Sequence, residues 1–149
     1  MAKIKFKKSV RLKACQQAFN EFVRWRDCVE YLKKHAELNI LGCKCISCQR
    51  FVPFKYLDAG HYFTVGSAPS LRFNEKNVNA QCTACNVYKA DQSKPFYGIN
   101  LERKYGKGTI GELESEINRN LPSSYELWEK EQEYKRKIKE LKNSYNGTC

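Results

Sequence analysis

Apolar side chains recur at spacings of mostly three and four residues over residues 8–38, which predicts a long amphipathic helix. No proline or glycine interrupts this stretch, and the next glycine along the chain is Gly42. The apolar positions that set the period are Val10, Leu12, Ala14, Ala18, Phe19, Phe22, Val23, Trp25, Val29 and Leu32.

The pattern changes in the middle of the chain, where short strands and turns are predicted. Residues 43–51, CKCISCQRF, are too rich in cysteine for a regular element and indicate a knuckle-like turn. Aromatic and β-branched side chains in residues 51–66, FVPFKYLDAGHYFTVG, predict a short hairpin or two irregular strands. A polar loop is expected over residues 67–77, followed by a short helix from Cys82 to about Asp91.

Helical periodicity returns after Pro95 and predicts further helices in the C-terminal third. A capping box that begins at Thr109 starts a helix reaching Ile117. Ser123 or Ser124 then caps a final helix over roughly residues 124–143. The contact stripe of this helix is predicted to be Leu127, Trp128, Tyr134, Ile138 and Leu141.

These elements together predict an α+β fold that is mostly helical. A chain of 149 residues is expected to form a single domain, 1–149, with a helical region 1–42, a cysteine-containing core 43–92 and C-terminal helices 93–149. No apolar run is long enough to cross a membrane, and the charged N-terminus lacks the apolar segment of a signal peptide. A cytoplasmic protein with no membrane partner is therefore expected.

The charge of the chain is strongly positive and unevenly distributed. The net charge is +11, and residues 1–35 hold ten lysines and arginines against three acidic residues. A one-sided basic field favours a polyanionic partner, although charge can also serve solubility alone. We expect DNA rather than a small-molecule substrate, with contacts from Lys3, Lys5, Lys7, Lys8, Arg11 and Lys13.

Eight cysteines in a reducing compartment indicate metal ligands or free thiols before disulfides. Two Cys-x-x-Cys pairs can close one tetrahedral zinc site, so a structural Zn²⁺ is predicted at Cys45, Cys48, Cys82 and Cys85. Cys43 could replace Cys45, whose spacing matches that of the second pair. A redox pair is the alternative, but no βαβ unit surrounds either motif. Cys15 and Cys28 are expected to be small core residues of the first helix.

The two cysteine pairs are further apart than in a plain zinc ribbon. Between Cys48 and Cys82 lie 33 residues, whereas a compact ribbon has about 15–20. The insertion contains His61, one of two histidines in the chain. Asn77 lies between this histidine and the second cysteine pair, and Asn86 follows the last cysteine directly.

This order of residues resembles the HNH endonucleases, whose catalytic unit is a β-hairpin followed by a helix around one divalent metal (the ββα-metal motif). The string GHY…LRF…N…QC..CN, with the later YGINLERKYGKGTIGELES, narrows the resemblance to the phage NinG family, also called Rap, which is associated with recombination. The similarity covers roughly residues 10–118. It implies a zinc-stapled ββα-metal core with a β-hairpin, flanked by N- and C-terminal helices in a protein of the host cell cytoplasm.

The resemblance also implies roles for individual residues. His61 would be the general base, Asn77 would hold the loop that carries it, and Asn86 would offer an amide oxygen to a catalytic Mg²⁺ or Mn²⁺. Many relatives place a ligand directly before the base, where this chain has Gly60. Asp58 would fill that role if a turn brings it round; otherwise it caps a turn.

Two further cations are candidates for contact with the phosphates of DNA. Arg72 is assigned to the catalytic set, since guanidinium binds phosphate in a fork, and Lys89 is assigned to DNA binding. Both could instead be ordinary surface cations. Phe73, next to Arg72, is expected in the core rather than as a platform for base stacking.

The leading hypothesis is a metal-dependent, HNH-type endodeoxyribonuclease that hydrolyses phosphodiesters in phage recombination. The resemblance implies branched substrates such as Holliday junctions and D-loops, and symmetric cleavage of these would suit a homodimer. The alternative is a non-catalytic zinc-knuckle DNA-binding recombination factor, favoured by the missing carboxylate next to His61. A third hypothesis is a degenerate fold that serves only as a protein adaptor.

Overall fold

A long basic helix opens the fold of this protein, for which a computed structural model describes residues 7–146. Helix α1 spans Lys8–Lys34, four residues shorter than predicted. It ends where the backbone N–H of His35 donates to the carbonyl of Leu32. The predicted DNA contacts Lys3 and Lys5 lie outside the described residues.

Two short strands flank the first cysteine pair. Strand β1, Gly42–Lys44, pairs antiparallel with β2, Phe51–Pro53, in a register that sets Cys43 opposite Val52. The expectation of a wholly irregular knuckle over residues 43–51 is therefore wrong at both ends. The turn between the strands is closed by backbone hydrogen bonds, so this cysteine-rich stretch forms a compact hairpin.

Residues 51–66 contain two separate short strands, which is one of the two predicted alternatives, and the other alternative, a hairpin within this stretch, is wrong. Strand β3, Leu57–His61, pairs antiparallel with β4, Val78–Cys82, rather than with a neighbour inside residues 51–66. The β-branched and aromatic residues identify strands but carry no information on the partner. Residues 62–77 instead form a loop with one turn of 3₁₀-helix, Pro69–Leu71, which returns the chain to pair with β3.

The chain becomes helical immediately after β4, but not with the predicted bounds. One turn of π-helix, Ala84–Tyr88, leads into α2, Ala90–Tyr105, which continues through Pro95. Proline leaves the carbonyl four residues earlier, on Asp91, without its helical donor. Asp91 is exposed, so water can satisfy that carbonyl and the helix continues.

Two more helices complete the fold. Helix α3 spans Thr109–Ser115, and Gly108, with φ of +95°, occupies the capping position predicted for Thr109. Helix α4 spans Ser124–Asn146. Ser123 begins α4 with the reciprocal bonds of a capping box, since its hydroxyl accepts from the N–H of Glu126 and its N–H donates to the Glu126 carboxylate.

The main core lies where α1 meets α4 and the β3–β4 pair. Four residues of the predicted stripe of α4 pack in or against this core: Leu127, Tyr134, Ile138 and Leu141. The fifth, Trp128, is 40% exposed. Phe73 joins the core as expected and meets Phe19 edge to face, with ring centroids 5.6 Å apart. The other core members from α1 include Cys15, Phe22 and Val23.

A buried ionic group ties α1 to the other elements. The Asp27 carboxylate of α1 accepts from the N–H of Ala80 in β4 at 2.7 Å and from Lys104 Nζ of α2 at 2.8 Å. Burial alone would raise the pKa of Asp27, but the charges of Arg26 and Lys104 outweigh burial and lower it. The carboxylate is therefore ionised and joins three elements at one point.

The observed architecture confirms a mostly helical α+β fold with two small antiparallel hairpins. Within residues 7–146, no helix is both long enough and apolar enough to cross a lipid bilayer.

The contact between α1 and α4 can be tested by truncating Leu127, which is fully buried. Leu127→Ala should lower the free energy of unfolding by about 2–5 kcal/mol, because it removes apolar contacts and leaves a cavity. Leu121→Ala is the matched control at a 41% exposed leucine, and it should change stability by less than about 0.5 kcal/mol. Urea unfolding followed by circular dichroism measures both; equal losses would contradict the assigned packing.

Candidate functional site

The four cysteines of the two pairs come together in space. Cys45 and Cys48 lie in the β1–β2 turn, Cys82 ends β4, and Cys85 lies in the π-helical turn. Their sulfurs all lie within 4.8 Å of one another, and those of Cys48 and Cys82 are 3.9 Å apart. Tetrahedral zinc with Zn–S bonds of about 2.3 Å places sulfurs roughly 3.8 Å apart, so this cluster could hold a metal ion, with zinc the plausible one.

Cys43 does not belong to this cluster. Its thiol is buried and hydrogen-bonds to the thiol of Cys28 on α1, which together with burial raises the pKa of Cys43. The side chain of Cys43 lies on the side of β1 that faces α1. Cys45, and not Cys43, therefore belongs to the cluster. Cys15 and Cys28 are both fully buried on α1, as expected for small core residues.

The thiols of the cluster differ in acidity. Burial would raise the pKa of Cys48, but hydrogen bonds from the backbone and side chain of Arg50 outweigh it and lower the pKa to about 7. Burial raises the pKa of Cys45 and Cys85. Metal binding would therefore have to displace protons from the buried thiols, which couples metal affinity to pH.

A second group of polar side chains lies next to the cluster, where β3 faces the π-helical turn. Asn86 Nδ2 lies 3.2 Å from Asp58 Oδ2. Asp58 lies inside β3 and not in a turn. Because side chains alternate along a strand, Asp58 lies on the same face of β3 as Gly60. The two predicted oxygen ligands are thus neighbours, and Asp58 does not cap a turn.

Gly60 has no room for a side chain. A Cβ at this position would meet the Oε1 of Gln81 and lie 2.9 Å from its Cδ. Gln81 is buried, and its Nε2 donates to the Ser47 hydroxyl at 2.8 Å, which fixes the amide in place. Gln81 on the paired strand β4 therefore occupies the space that a side chain at position 60 would need.

His61 is the last residue of β3 and is held through one ring nitrogen. Its Nε2 lies 3.0 Å from the carbonyl oxygen of Arg72. A carbonyl only accepts, so Nε2 carries the proton and Nδ1 keeps a free lone pair. Burial, together with the charge of Arg72, lowers the pKa of His61 from its ordinary value, which favours the neutral imidazole.

Asn77 fixes the loop that follows His61. Its buried side chain donates to the carbonyls of Phe63 and Leu71 and accepts from the N–H of Phe63 at 2.9 Å. Its own carbonyl accepts from the N–H of Tyr62. These bonds hold both ends of the loop between β3 and β4.

A cavity of about 350 Å³ opens beside His61. His61, Gln81 and Asn86 line it together with Lys94 of α2, a residue that the sequence reasoning missed. The Lys94 ammonium lies 5.1 Å from the ring centroid of Tyr62, which keeps it at the cavity wall. Spacing offered a signal: Asn86, Ala90 and Lys94 follow one another at intervals of four, and all three line the cavity.

Tyr97 of α2 is a second residue that the sequence reasoning missed. Its buried hydroxyl donates to the carbonyl of Gly60 at 2.6 Å and accepts from Asn79 Nδ2 at 3.2 Å. The peptide that leads into His61 is therefore fixed from the helix side. No sequence pattern distinguished Tyr97 from an ordinary aromatic residue of the core.

The predicted phosphate contacts do not all lie together. Arg72 is half-buried, and its Nε donates to Gln16 Oε1 of α1 at 2.7 Å, which fixes the guanidinium between α1 and the loop. Lys89 is exposed and lines a different cavity, on the cysteine side of α2. The structure thus separates Lys89 from His61.

The described basic residues at the start of α1 lie at the surface. Lys7, Lys8 and Lys13 are exposed, and Arg11 is half-buried. The Gln16–Arg72 hydrogen bond brings the next turn of α1 to the loop whose carbonyl holds His61. Lys8, at the start of α1, therefore lies about two helical turns before Gln16, the residue that contacts this loop.

Comparison with known proteins places the chain among phage proteins. The family model described as "Bacteriophage Lambda NinG protein" matches residues 1–144. Protein ninG of Escherichia phage lambda is 36% identical over 137 residues, covering 92% of this chain and 60% of that protein. Protein ninG of Escherichia phage 933W is 35% identical with coverage of 92% and 61%, and that of Salmonella phage P22 is 34% identical with coverage of 92% and 60%.

The chain spans about 60% of the length of these curated relatives. No solved structure matches it.

The cysteine cluster predicts a sharp difference between two neighbouring thiols. Cys45→Ser should remove most of the bound zinc and destabilise the fold, because a structural zinc contributes folding free energy. Cys43→Ser, two residues away, should keep one zinc per chain. Metal analysis of the purified proteins measures both, and equal zinc contents would contradict the assignment of Cys45.

Proposed function

This chain belongs to the phage NinG family, and from this premise we propose that it is a metal-dependent endonuclease for branched DNA in phage recombination. The observation that carries the proposal is the placement of His61 and Asn86 on one cavity, with Asp58 in contact with Asn86. An antiparallel strand pair followed by a helix supports these residues, which is the order of elements that the HNH resemblance implies.

The donor set beside His61 suits a hard divalent cation. Mg²⁺ and Mn²⁺ prefer oxygen ligands and are commonly bound by one or two side chains with water in the remaining positions. Asp58 supplies a carboxylate, and Asn86 supplies an oxygen once its amide is turned, since the two ends of an amide differ only in their hydrogen bonds. Asp58 and Asn86 would hold the ion, and it would supply positive charge to the phosphate as negative charge develops there.

His61 is the general base in this mechanism. Nδ1 takes a proton from a water molecule while the water oxygen forms a bond to phosphorus and the bond from phosphorus to one deoxyribose oxygen breaks. The departing oxygen then takes up a proton from solvent. The Arg72 carbonyl stabilises the imidazolium that forms, because it accepts from the protonated Nε2.

Lys94 and Arg72 provide positive charge near the reacting phosphate. Lys94 lines the cavity itself. The Arg72 guanidinium, whose Nε donates to Gln16, lies close enough to His61 for its charge to lower the pKa of that imidazole. Fixed cations stabilise the transition state because they are already oriented when charge develops. Lys7, Lys8 and Lys13 would bind flanking phosphates, which makes affinity fall steeply with salt.

The non-catalytic alternative has one observation in its favour. The position before His61 holds no ligand, and Gln81 fills the space where one would sit. A DNA-binding factor of this kind would bind branched DNA with the same salt dependence but would not cut it. Cleavage therefore separates the two functions, and a protein adaptor would show no affinity for DNA at low salt.

The proposed base has a matched control in the other histidine of the chain. With Mg²⁺ or Mn²⁺, His61→Ala should slow the cutting of Holliday junctions and D-loops by about 10²–10⁴-fold, since the water loses its proton acceptor. His35→Ala should cut at the wild-type rate, because His35 lies at the end of α1 against Tyr31. Gel analysis of labelled junctions measures the rates. If the wild type does not cut, or if both variants cut equally, the proposed mechanism is wrong.

The low pKa of His61 predicts the pH dependence of cleavage. His61 must be neutral to accept a proton, so the rate should rise with pH and level off once the folded-state pKa is passed. That pKa is lowered from the ordinary value of histidine because burial disfavours the charged ring. Single-turnover rates between about pH 5 and 8 measure the profile. A half-maximal rate above pH 7 would rule out this assignment.

A further inference from the structure

Helix α2 and the turn before it carry unusually exposed apolar side chains. Tyr88 is 81% exposed, Phe96 is 60% exposed and Ile99 is 52% exposed. Gln92, Phe96, Ile99 and Arg103 follow one another at intervals of four, three and four, so they form one stripe on the outer face of α2. Exposed aromatic side chains that gather on one face usually mark an interaction surface.

Basic side chains border this stripe. Arg50 and Lys89 line a cavity of about 240 Å³ together with Gln92 and Phe96, beside the cysteine cluster. Arg103 continues the stripe at its far end. Tyr88 ends the π-helical turn and directly precedes Lys89. We call Tyr88, Phe96, Arg50 and Lys89 the aromatic-basic surface.

The aromatic-basic surface lies next to the cavity of His61, across the start of α2. Cys85 and Ser93 line both cavities, so the two openings lie on either side of the start of α2. A strand of DNA whose phosphate lies at His61 can therefore extend past α2 onto this surface. Lys89, which the sequence reasoning assigned to DNA binding, lies on this side of the helix.

We propose that the aromatic-basic surface binds unpaired bases next to the branch point of the DNA, an inference that rests on the proposed function. Tyr88 and Phe96 stack on the bases, and Arg50 and Lys89 contact the intervening phosphates. Single-stranded nucleic acid is recognised by this combination of aromatic faces and cations, since every base has a π-face and every linkage a negative charge.

A second copy of the chain is a poorer occupant for the same surface. Two aromatic-basic surfaces facing each other would bring Arg50 and Lys89 close to their own counterparts, in a chain whose net charge is already +11. Like charges at an interface oppose association. An unpaired DNA strand complements both the charge and the exposed rings.

The test compares DNA binding to three labelled substrates without added Mg²⁺ or Mn²⁺: a single strand, a fork with single-stranded arms, and a duplex. Tyr88→Ala and Phe96→Ala should each raise the Kd for the single strand and the fork by about fivefold or more, since one stacked base is lost. Binding to the duplex should not change. Tyr88→Phe keeps the ring and should bind like the wild type.

Tyr125→Ala is the matched control, because Tyr125 is 66% exposed on α4, where its ring stacks on Trp128 and its hydroxyl hydrogen-bonds to Glu129. Unchanged fork binding by Tyr88→Ala and Phe96→Ala, with normal cleavage, would overturn this inference and leave the nuclease intact. A wild-type protein that binds none of the three substrates would overturn both. A wild-type dimer that Phe96→Ala converts to monomer, seen by sedimentation, would assign the surface to a second copy.

Discussion

The fold depends on a carboxylate buried between its layers. Asp27 of α1 reaches the β3–β4 pair and α2 at once, through the N–H of Ala80 and the ammonium of Lys104. A buried charge is tolerated only when its partners satisfy it, and removal of one partner leaves an uncompensated ion. The positions of α1, β4 and α2 are therefore coupled: none of them can shift without breaking an ionic hydrogen bond.

This coupling extends to the candidate site through polar side chains. Lys104 also donates to Asn79, the Asn79 amide donates to Tyr97, and the Tyr97 hydroxyl holds the carbonyl of Gly60. The peptide before His61 is thus connected to the buried charge by consecutive hydrogen bonds. A base must keep within a fraction of an ångström of its geometry to be effective, and rigid elements supply that precision better than loops.

Local patterns predicted α1, α4 and the cysteine cluster well, because helical periodicity and Cys-x-x-Cys spacing are properties of neighbouring residues. Pairing of β3 with β4 was missed, since strand composition does not identify the partner and the pairing joins Leu57 to Cys82 across a long loop. The contact between Asp58 and Asn86 depends on that register. Gln81 could not have been related to Gly60 before the strands were aligned, because each looks ordinary alone.

The adjacency of Cys85 and Asn86 gives the cysteine cluster a consequence for the candidate site. Both residues belong to the π-helical turn, one facing the other thiols and the next contacting Asp58. Successive residues of a helical turn project in different directions, so one short turn can serve two ligand sets. A metal ion held by the thiols would fix this turn against the β1–β2 hairpin, and Asn86 would be positioned by the same contact. Metal binding at the thiols and the geometry at Asp58 would therefore be one constraint rather than two.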